Sequence, residues 1–206
     1  MRGHKAIMYA WRKMTPEQRA EALKQRQQLH WPLHSPPHFF DGRHHNYHLT
    51  AANYEHAVIL GKNQARLLAF SRQLYHLFDR GAAKVHAWCV LPNHWHALVG
   101  TNDLKALLFQ IGRLHGRSSF DWNKEDGQRG RKCWHRCADR SIRGSDHFYV
   151  VRNYVHHNPV KHGYVDSWQD WPYSSAIEYL RDVGEDMARD LWVHYPILDM
   201  GKGWDD

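Results

Sequence analysis

The stretch LPNHWHALVG, residues 91–100, sets His94 and His96 two positions apart in an apolar run, with Trp95 between them. In an extended strand alternate side chains share a face, so both imidazoles point one way and Trp95 the other. Two imidazoles on one rigid face are half of a metal site. With 19 histidines in the chain, chance supplies about one or two such pairs, so the pair needs a partner elsewhere. The stretch NYVHHNPVKHGYV offers one. It reads as helix from about Asp146, where a spacing of four puts Tyr154 and Asn158 on one face and His157 close to it. Pro159 disfavours ordinary helix at the residue before it, which places Asn158 at the helix end with its amide oxygen turned toward a ligand. Tyr154 also has a plainer use. Phe148, Val151, Tyr154 and Val155 fall at helical spacing and would form a buried stripe. Cys133, His135 and Cys137 make a CxHxC cluster of zinc-ligand types without a second half-site.

The elements that must position these residues follow from periodicity. Thr15 caps a helix with Pro16 at its first position and Gln18 placed for a capping box. That helix, PEQRAEALKQRQQLH, is polar and largely basic: a solvated helix, or a phosphate-contacting one through Arg19, Lys24 and Arg26. The proline-rich WPLHSPPHFF marks a domain start near residue 40. A strand HHNYHLTAA follows, with Tyr47, Leu49 and Ala51 alternating inward. Leu67, Phe70, Leu74 and Phe78 then define a helix that stops at Gly81. KVHAWCVL and HWHALVG read as a hairpin through Pro92-Asn93. A helix capped by Thr101 or Asn102 turns Leu104, Leu107, Leu108, Ile111 and Leu114 inward. KEDGQRGRK is a polar loop of the kind that orders on a ligand. A fourth strand in CWHRCADRSIR leads to the helix DHFYVVRNYVHHN, and SSAIEYLRDV forms one more. The order is ferredoxin-like: an α+β fold, βαββαβ, with an antiparallel sheet, two helices on one face and a further helix carrying Tyr154. HWHALVG is then the central third strand. The expected segments are an extension over 1–37, the domain over 38–181 and a tail over 182–206.

The chain carries 28 Lys+Arg against 21 Asp+Glu, a net charge of +7 and a pI near 9.4. That excess points to a polyanionic partner, nucleic acid first. Arg113, Arg117, Arg129, Arg131, Lys132, Arg140 and Arg143 gather around the glycine-containing loop, interleaved with Trp122, Trp134 and Phe148. This mixture suits phosphate binding and base stacking on single strands. The 10 Trp and 42% hydrophobic residues fit a folded protein. An odd count of 3 Cys argues against a disulfide scaffold and for a reducing cytoplasm. No apolar run approaches the roughly 20 residues of a membrane helix, and MRGHKAIMYAWRKM lacks a signal peptide's apolar centre.

LPNHWHALV, then YVHHNPVKHGYV about 60 residues later, then WPYSS, resemble in this order the REP-associated tyrosine transposases. These are a branch of the single-tyrosine HUH endonucleases. The resemblance covers roughly residues 38–181 and takes in SPPHFF and YHLT; HHNPVKHG is richer in histidine than the family pattern. It implies a ferredoxin-like core, with His94 and His96 as metal pair, Tyr154 as nucleophile and Asn158 as third ligand. His157 competes with Asn158 for that last place. The resemblance implies magnesium or manganese, whereas ligand type alone favours zinc or another transition metal. It further implies single-stranded or hairpin DNA as substrate, a 5′-phosphotyrosine intermediate, and work at the nucleoid in the cytoplasm. Monomer and homodimer both remain open. Two competing readings are a host-adopted nucleic-acid-binding protein of the same fold with little catalysis, and a zinc protein built on Cys133.

Overall fold

A computed structural model describes residues 14–28, 43–81, 83–198 and 200–201. Residues 1–13, the SPPHFF connector and the side chain of Arg26 lie outside them. Helix α1 (Pro16–Gln28) belongs to a first compact unit. Its capping box forms as the sequence predicts: Thr15 N–H donates to Gln18 Oε1 at 2.9 Å, and Gln18 N–H to Thr15 Oγ1 at 3.3 Å.

The described residues from Arg43 to Met200 form the second unit. Its order is β1 (His45–Ala52), α2 (Gln64–Arg80), β2 (Lys84–Val90), β3 (His94–Thr101), α3 (Leu104–Glu125), β4 (Ala138–Ser141), α4 (Ser145–Lys161), α5 (Ala176–Val183) and α6 (Glu185–His194). The strands lie side by side as β2-β3-β1-β4, every pairing antiparallel. That is the ferredoxin-like arrangement expected from the pattern, with β3 and β1 central.

Alternation on β1 and β3 sorts side chains into two layers. Tyr47, Leu49 and Ala51 join Trp95, Ala97 and Val99 under α2 and α3, packed with Phe70, Leu74, Phe78, Leu107, Ile111 and Leu114. On the other face Leu98 meets Val151, Tyr154 and Val155 of α4. All eight residues of β3 are buried. The strand is therefore covered on both sides, and polar side chains on its α4 face are withdrawn from bulk water.

Three local expectations are corrected. The cap of α3 is Asp103, which accepts from Ala106 N–H at 2.9 Å. Thr101 is still in the sheet opposite His45, so it is not available as a cap. Helix α4 does not end at Asn158 but runs to Lys161 with Pro159 inside it. Proline removes only the one amide that would reach back to residue 155. The next amides close the end: His162 N–H to Asn158 O at 3.1 Å and Tyr164 N–H to Pro159 O at 2.9 Å. Gly163, at φ +69°, completes the turn in a conformation that favours glycine. Finally, only Ala138–Ser141 of CWHRCADRSIR is strand. Its first half is tied down irregularly, with Cys133 O accepting from Tyr54 N–H at 2.8 Å and Asn53 Nδ2 at 3.1 Å.

Residues 182–198 fall in the same unit as the sheet, and α6 packs on α4. Asn153 Nδ2 donates to Leu191 O at 3.2 Å and Tyr195 O at 2.9 Å. No helix among the described residues is long and apolar enough to cross a membrane.

Candidate active site

The turn before β3 is held from three sides. Asn53 N–H donates to Asn93 O at 2.6 Å and Gly61 N–H to Pro92 O at 2.7 Å. A Cβ at Gly61 would run into Pro92, so the close approach itself requires glycine there. Asn93 Nδ2 donates to His56 O at 3.2 Å, which fixes Asn93 Oδ1 as an acceptor. That oxygen lies 2.7 Å from His94 Nδ1, so the imidazole carries its proton on Nδ1. His94 Nε2 faces Asn158 Oδ1 at 3.0 Å.

In the neutral Nδ1–H tautomer, His94 Nε2 and Asn158 Oδ1 are both lone-pair donors of the kind a cation binds. Neighbouring oxygen and nitrogen ligands of an octahedral ion with bonds of about 2.1 Å stand about 3.0 Å apart. The His94–Asn158 pair has that spacing and the donor chemistry of a hard-to-borderline cation site, with the Nδ1 contact orienting the ring as metal-binding histidines are oriented. Asn158 is fully buried, and its Nδ2 has no hydrogen-bond partner.

His96 lies on the same face of β3, opposite Thr50 of β1 and Cys89 of β2. Its Nδ1 is 3.2 Å from His48 Nε2, and the two rings stack with centroids 5.2 Å apart. The His94 ring meets the His96 ring edge-on at 5.0 Å. Tyr154 closes the group from α4, its ring 5.2 Å from His96 and 5.8 Å from His48. Lys161, two turns on, places Nζ 5.2 Å from the Tyr154 ring centroid. His94, His96, Tyr154 and Asn158 are each at most 1% exposed. The four residues that the sequence singled out thus lie together between β3 and α4.

Spacing missed His48, Lys161 and His162, the last with its ring 4.9 Å from that of His94. His48 sits between the core residues Tyr47 and Leu49 in a strand buried on both faces. Alternation advertised one inward face there and left the other to be taken for solvent. The YHLT string was the one available signal.

The histidine-rich turn after Tyr154 separates by direction. His156 points to the α5 side, its Nε2 2.9 Å from Ser175 Oγ and its ring stacked 5.7 Å from Trp168. Burial, reinforced by the Arg152 charge, holds it neutral down to about 3. His157 rests its ring 5.1 Å from Trp192 of α6. Asn158 is the member of the turn that reaches His94. Of the two residues left open, Asn158 lies against His94 and His157 against Trp192.

The basic residues are more dispersed. Arg140 lies opposite His48 in the β1–β4 register, so it shares the site's face of the sheet. Arg143 is exposed just beyond β4. Arg113 and Arg117 are exposed on α3, in the layer behind Trp95 and away from the histidines. Arg131 is engaged with Asp126 at 2.7 Å and Asn123 at 3.0 Å. Lys132 covers the Tyr54 ring at 4.5 Å. Cys133, His135 and Cys137 go separate ways. Cys133 Sγ lies 3.3 Å from Asn123 Oδ1, and His135 Nε2 accepts from Glu55 N–H at 3.1 Å. Among the described residues no three His, Cys, Asp or Glu side chains converge as a metal centre.

The ferredoxin-like sheet carries paired histidines on its central strand and a tyrosine on the covering helix. The family described as Transposase IS200 like matches residues 43–158, and the chain belongs to it. It is similar to a REP-associated tyrosine transposase of Haemophilus influenzae, 32% identical over 126 residues that make up 54% of this chain and 68% of that protein. A REP-associated tyrosine transposase of Escherichia coli K12 is 30% identical over 120 residues, 55% of this chain and 61% of its own length. A solved structure of a REP-associated tyrosine transposase bound to a REP hairpin superposes with a TM-score of 0.52 at 21% identity. It covers 69% of this chain and 81% of its own, a likeness of fold.

Proposed function

We propose that this protein is a divalent-metal-dependent, single-strand DNA endonuclease and strand transferase that acts on hairpin DNA through Tyr154. The observation that carries the reading is the convergence of His94 and His96 from β3 with Tyr154 and Asn158 from α4, with His94 Nε2 and Asn158 Oδ1, 64 positions apart in sequence, at 3.0 Å. Hairpin DNA as substrate is supported by the hairpin named for the structural neighbour and by the net charge of +7.

In this reading the Tyr154 phenol oxygen attacks a backbone phosphorus in line with the leaving 3′ oxygen. An O–P bond to tyrosine forms, the P–O3′ bond breaks, and the phenol proton leaves as the 3′-hydroxyl gains one. The product is a 5′-phosphotyrosine with the phosphodiester's energy conserved for strand transfer. Magnesium or manganese, held by His94 Nε2, His96 and Asn158 Oδ1, would supply charge for the phosphoryl oxygens and orientation of the scissile group. His48 holds the His96 ring, Asn93 holds the His94 ring, and Lys161 places a cation beside the nucleophile's ring.

A hairpin oligonucleotide with manganese should give an SDS-resistant protein–DNA adduct. Tyr154→Phe should abolish it, by at least about 10²-fold, while leaving hairpin affinity within a few-fold. Equal cleavage by that variant would overturn the nucleophile. The reading of a host-adopted binder draws support from the burial of all four groups, each at most 1% exposed. Tight, salt-sensitive binding with no adduct from the unmodified protein would establish that reading instead.

A further inference from the structure

Two arginines among the described residues are more than nine-tenths buried, Arg66 at 5% exposed and Arg152 at 8%. The protein treats them differently. Arg66 meets Glu125 at 2.6 Å and Asp126 at 2.8 Å, the pairing a buried cation requires. Arg152 pairs with no carboxylate among the described residues, and its Nε and Nη2 are buried without a hydrogen-bond partner. Its guanidinium is instead layered between two tyrosines, Cζ lying 4.4 Å from the Tyr179 ring centroid and 4.9 Å from that of Tyr149. Cation–π contact offsets part of the desolvation but gives an N–H no acceptor. The Tyr179 hydroxyl is likewise buried without a partner.

Among the described residues the groups around it add donors and no carboxylate partner. His86 on β2 is bonded to Asn46 Oδ1 at 3.0 Å and His156 to Ser175 Oγ at 2.9 Å. Burial holds His86 neutral down to about 4, helped by the charges of Lys84, His44 and Arg152. His86, Ser175 and Tyr179 also line a cleft of about 660 Å³ that opens over the edge strand β2, between α2 and α5. Tyr75 and Trp88 wall it with ring centroids 6.1 Å apart, and Glu178 and Asp182 stand on its exposed rim. Arg72 of α2 lines the cleft as well, and Tyr179, whose ring packs on Arg152, links the cleft to the buried guanidinium.

We propose that Arg152 and the Tyr179 hydroxyl form a phosphate-binding subsite, filled by a phosphodiester of a DNA single strand that crosses the β2 edge with its bases against Tyr75 and Trp88. Guanidinium–phosphate contacts are among the strongest charge-assisted hydrogen bonds, and aromatic walls suit bases of any sequence. Arg152 precedes Tyr154 by two residues, roughly 200° around α4, so this subsite is separate from the candidate active site. The phosphate chemistry stands on Arg152 itself; DNA as its source rests on the function proposed above.

The test uses the full chain. Inorganic phosphate should raise the melting temperature above that in chloride at equal ionic strength, and Arg152→Met should remove the difference. For a single-stranded oligonucleotide, Arg152→Met should weaken binding about tenfold and flatten the plot of log affinity against log salt by about 0.7. Tyr179→Phe keeps the ring and loses only the hydroxyl, so it should weaken binding by about threefold even if the arginine variant does not fold. Phosphate stabilisation with an unchanged salt slope and unchanged Tyr179→Phe affinity would overturn the DNA source. No stabilisation and an unchanged slope would overturn the subsite. Absence of a Tyr154 adduct in the unmodified protein, with the phosphate shift present, would count against the proposed reaction and leave the subsite standing.

Discussion

Asn158 shows what one side chain contributes when its neighbours have fixed roles. Asn93 donates through Nδ2 to His56 O, so its oxygen accepts from His94 Nδ1, and His94 Nε2 faces Asn158 Oδ1 at 3.0 Å. This chain of roles makes Asn158 the expected third ligand. Asn158→Ala should lower manganese affinity at least tenfold, as loss of a ligand does, whereas His157→Ala should leave it within about twofold because His157 lies on Trp192. Manganese binding followed by electron paramagnetic resonance would separate the two. An equal loss in both variants would remove the distinction. Spacing alone had placed Tyr154, Asn158 and His157 near one face. It could not choose between the last two, because adjacent helical residues differ by about 100° and the arbitrating contact comes from another element.

At the scale of elements, α4 is the part whose placement matters most. One side lays Tyr154 and Asn158 on β3; another is pinned through Asn153 to the carbonyls of Leu191 and Tyr195. Tyr149 stacks on Tyr195 at 4.7 Å, and His157 meets Trp192 at a tilt, centroids 5.1 Å apart. Ending the chain after Val183 would leave Asn153 and the aromatic edges of α4 without their partners. Such a truncation is expected to lower stability by about 2–4 kcal/mol and to reduce adduct formation more than hairpin affinity. Chemical denaturation and adduct yield would check this, and a truncated protein with full stability and yield would show α6 to be dispensable. The sequence marked SSAIEYLRDV as helix and set 182–206 aside as a tail. The aromatics of WVHYP carry no period that names α4 as their destination.

For the molecule as a whole, the two-faced cover of the sheet governs both stability and site. His115 illustrates the cost. It lies on α3, accepts from Trp95 Nε1–H at 3.1 Å and stacks on Trp134 at 4.3 Å. Burial lowers its pKa from 6.5 to about 3. Because the unfolded chain binds the proton first, this histidine's contribution is complete above pH 6.5 and is lost as pH falls from there toward 3. Denaturation midpoints should therefore decline below about pH 6.5, and His115→Gln should make that decline shallower by up to one proton. Identical slopes would mean that His115 does not govern acid sensitivity.

The same cover explains how much was legible beforehand. Hydrophobic periods of two and 3.6 predicted β1 through α4 in order, and the order determined a ferredoxin-like sheet with HWHALVG at its centre. The i, i+2 and i, i+4 spacings determined which side chains of β3 and of α4 share a face, because those relations are local and set by backbone geometry. Only the tertiary structure decided that the two faces meet. It also brought His48 beside His96, turned Asn158 rather than His157 inward, and left Arg152 buried without an acid among the described residues. Each of these depends on contacts between residues dozens of positions apart, where side-chain packing decides and sequence period is silent.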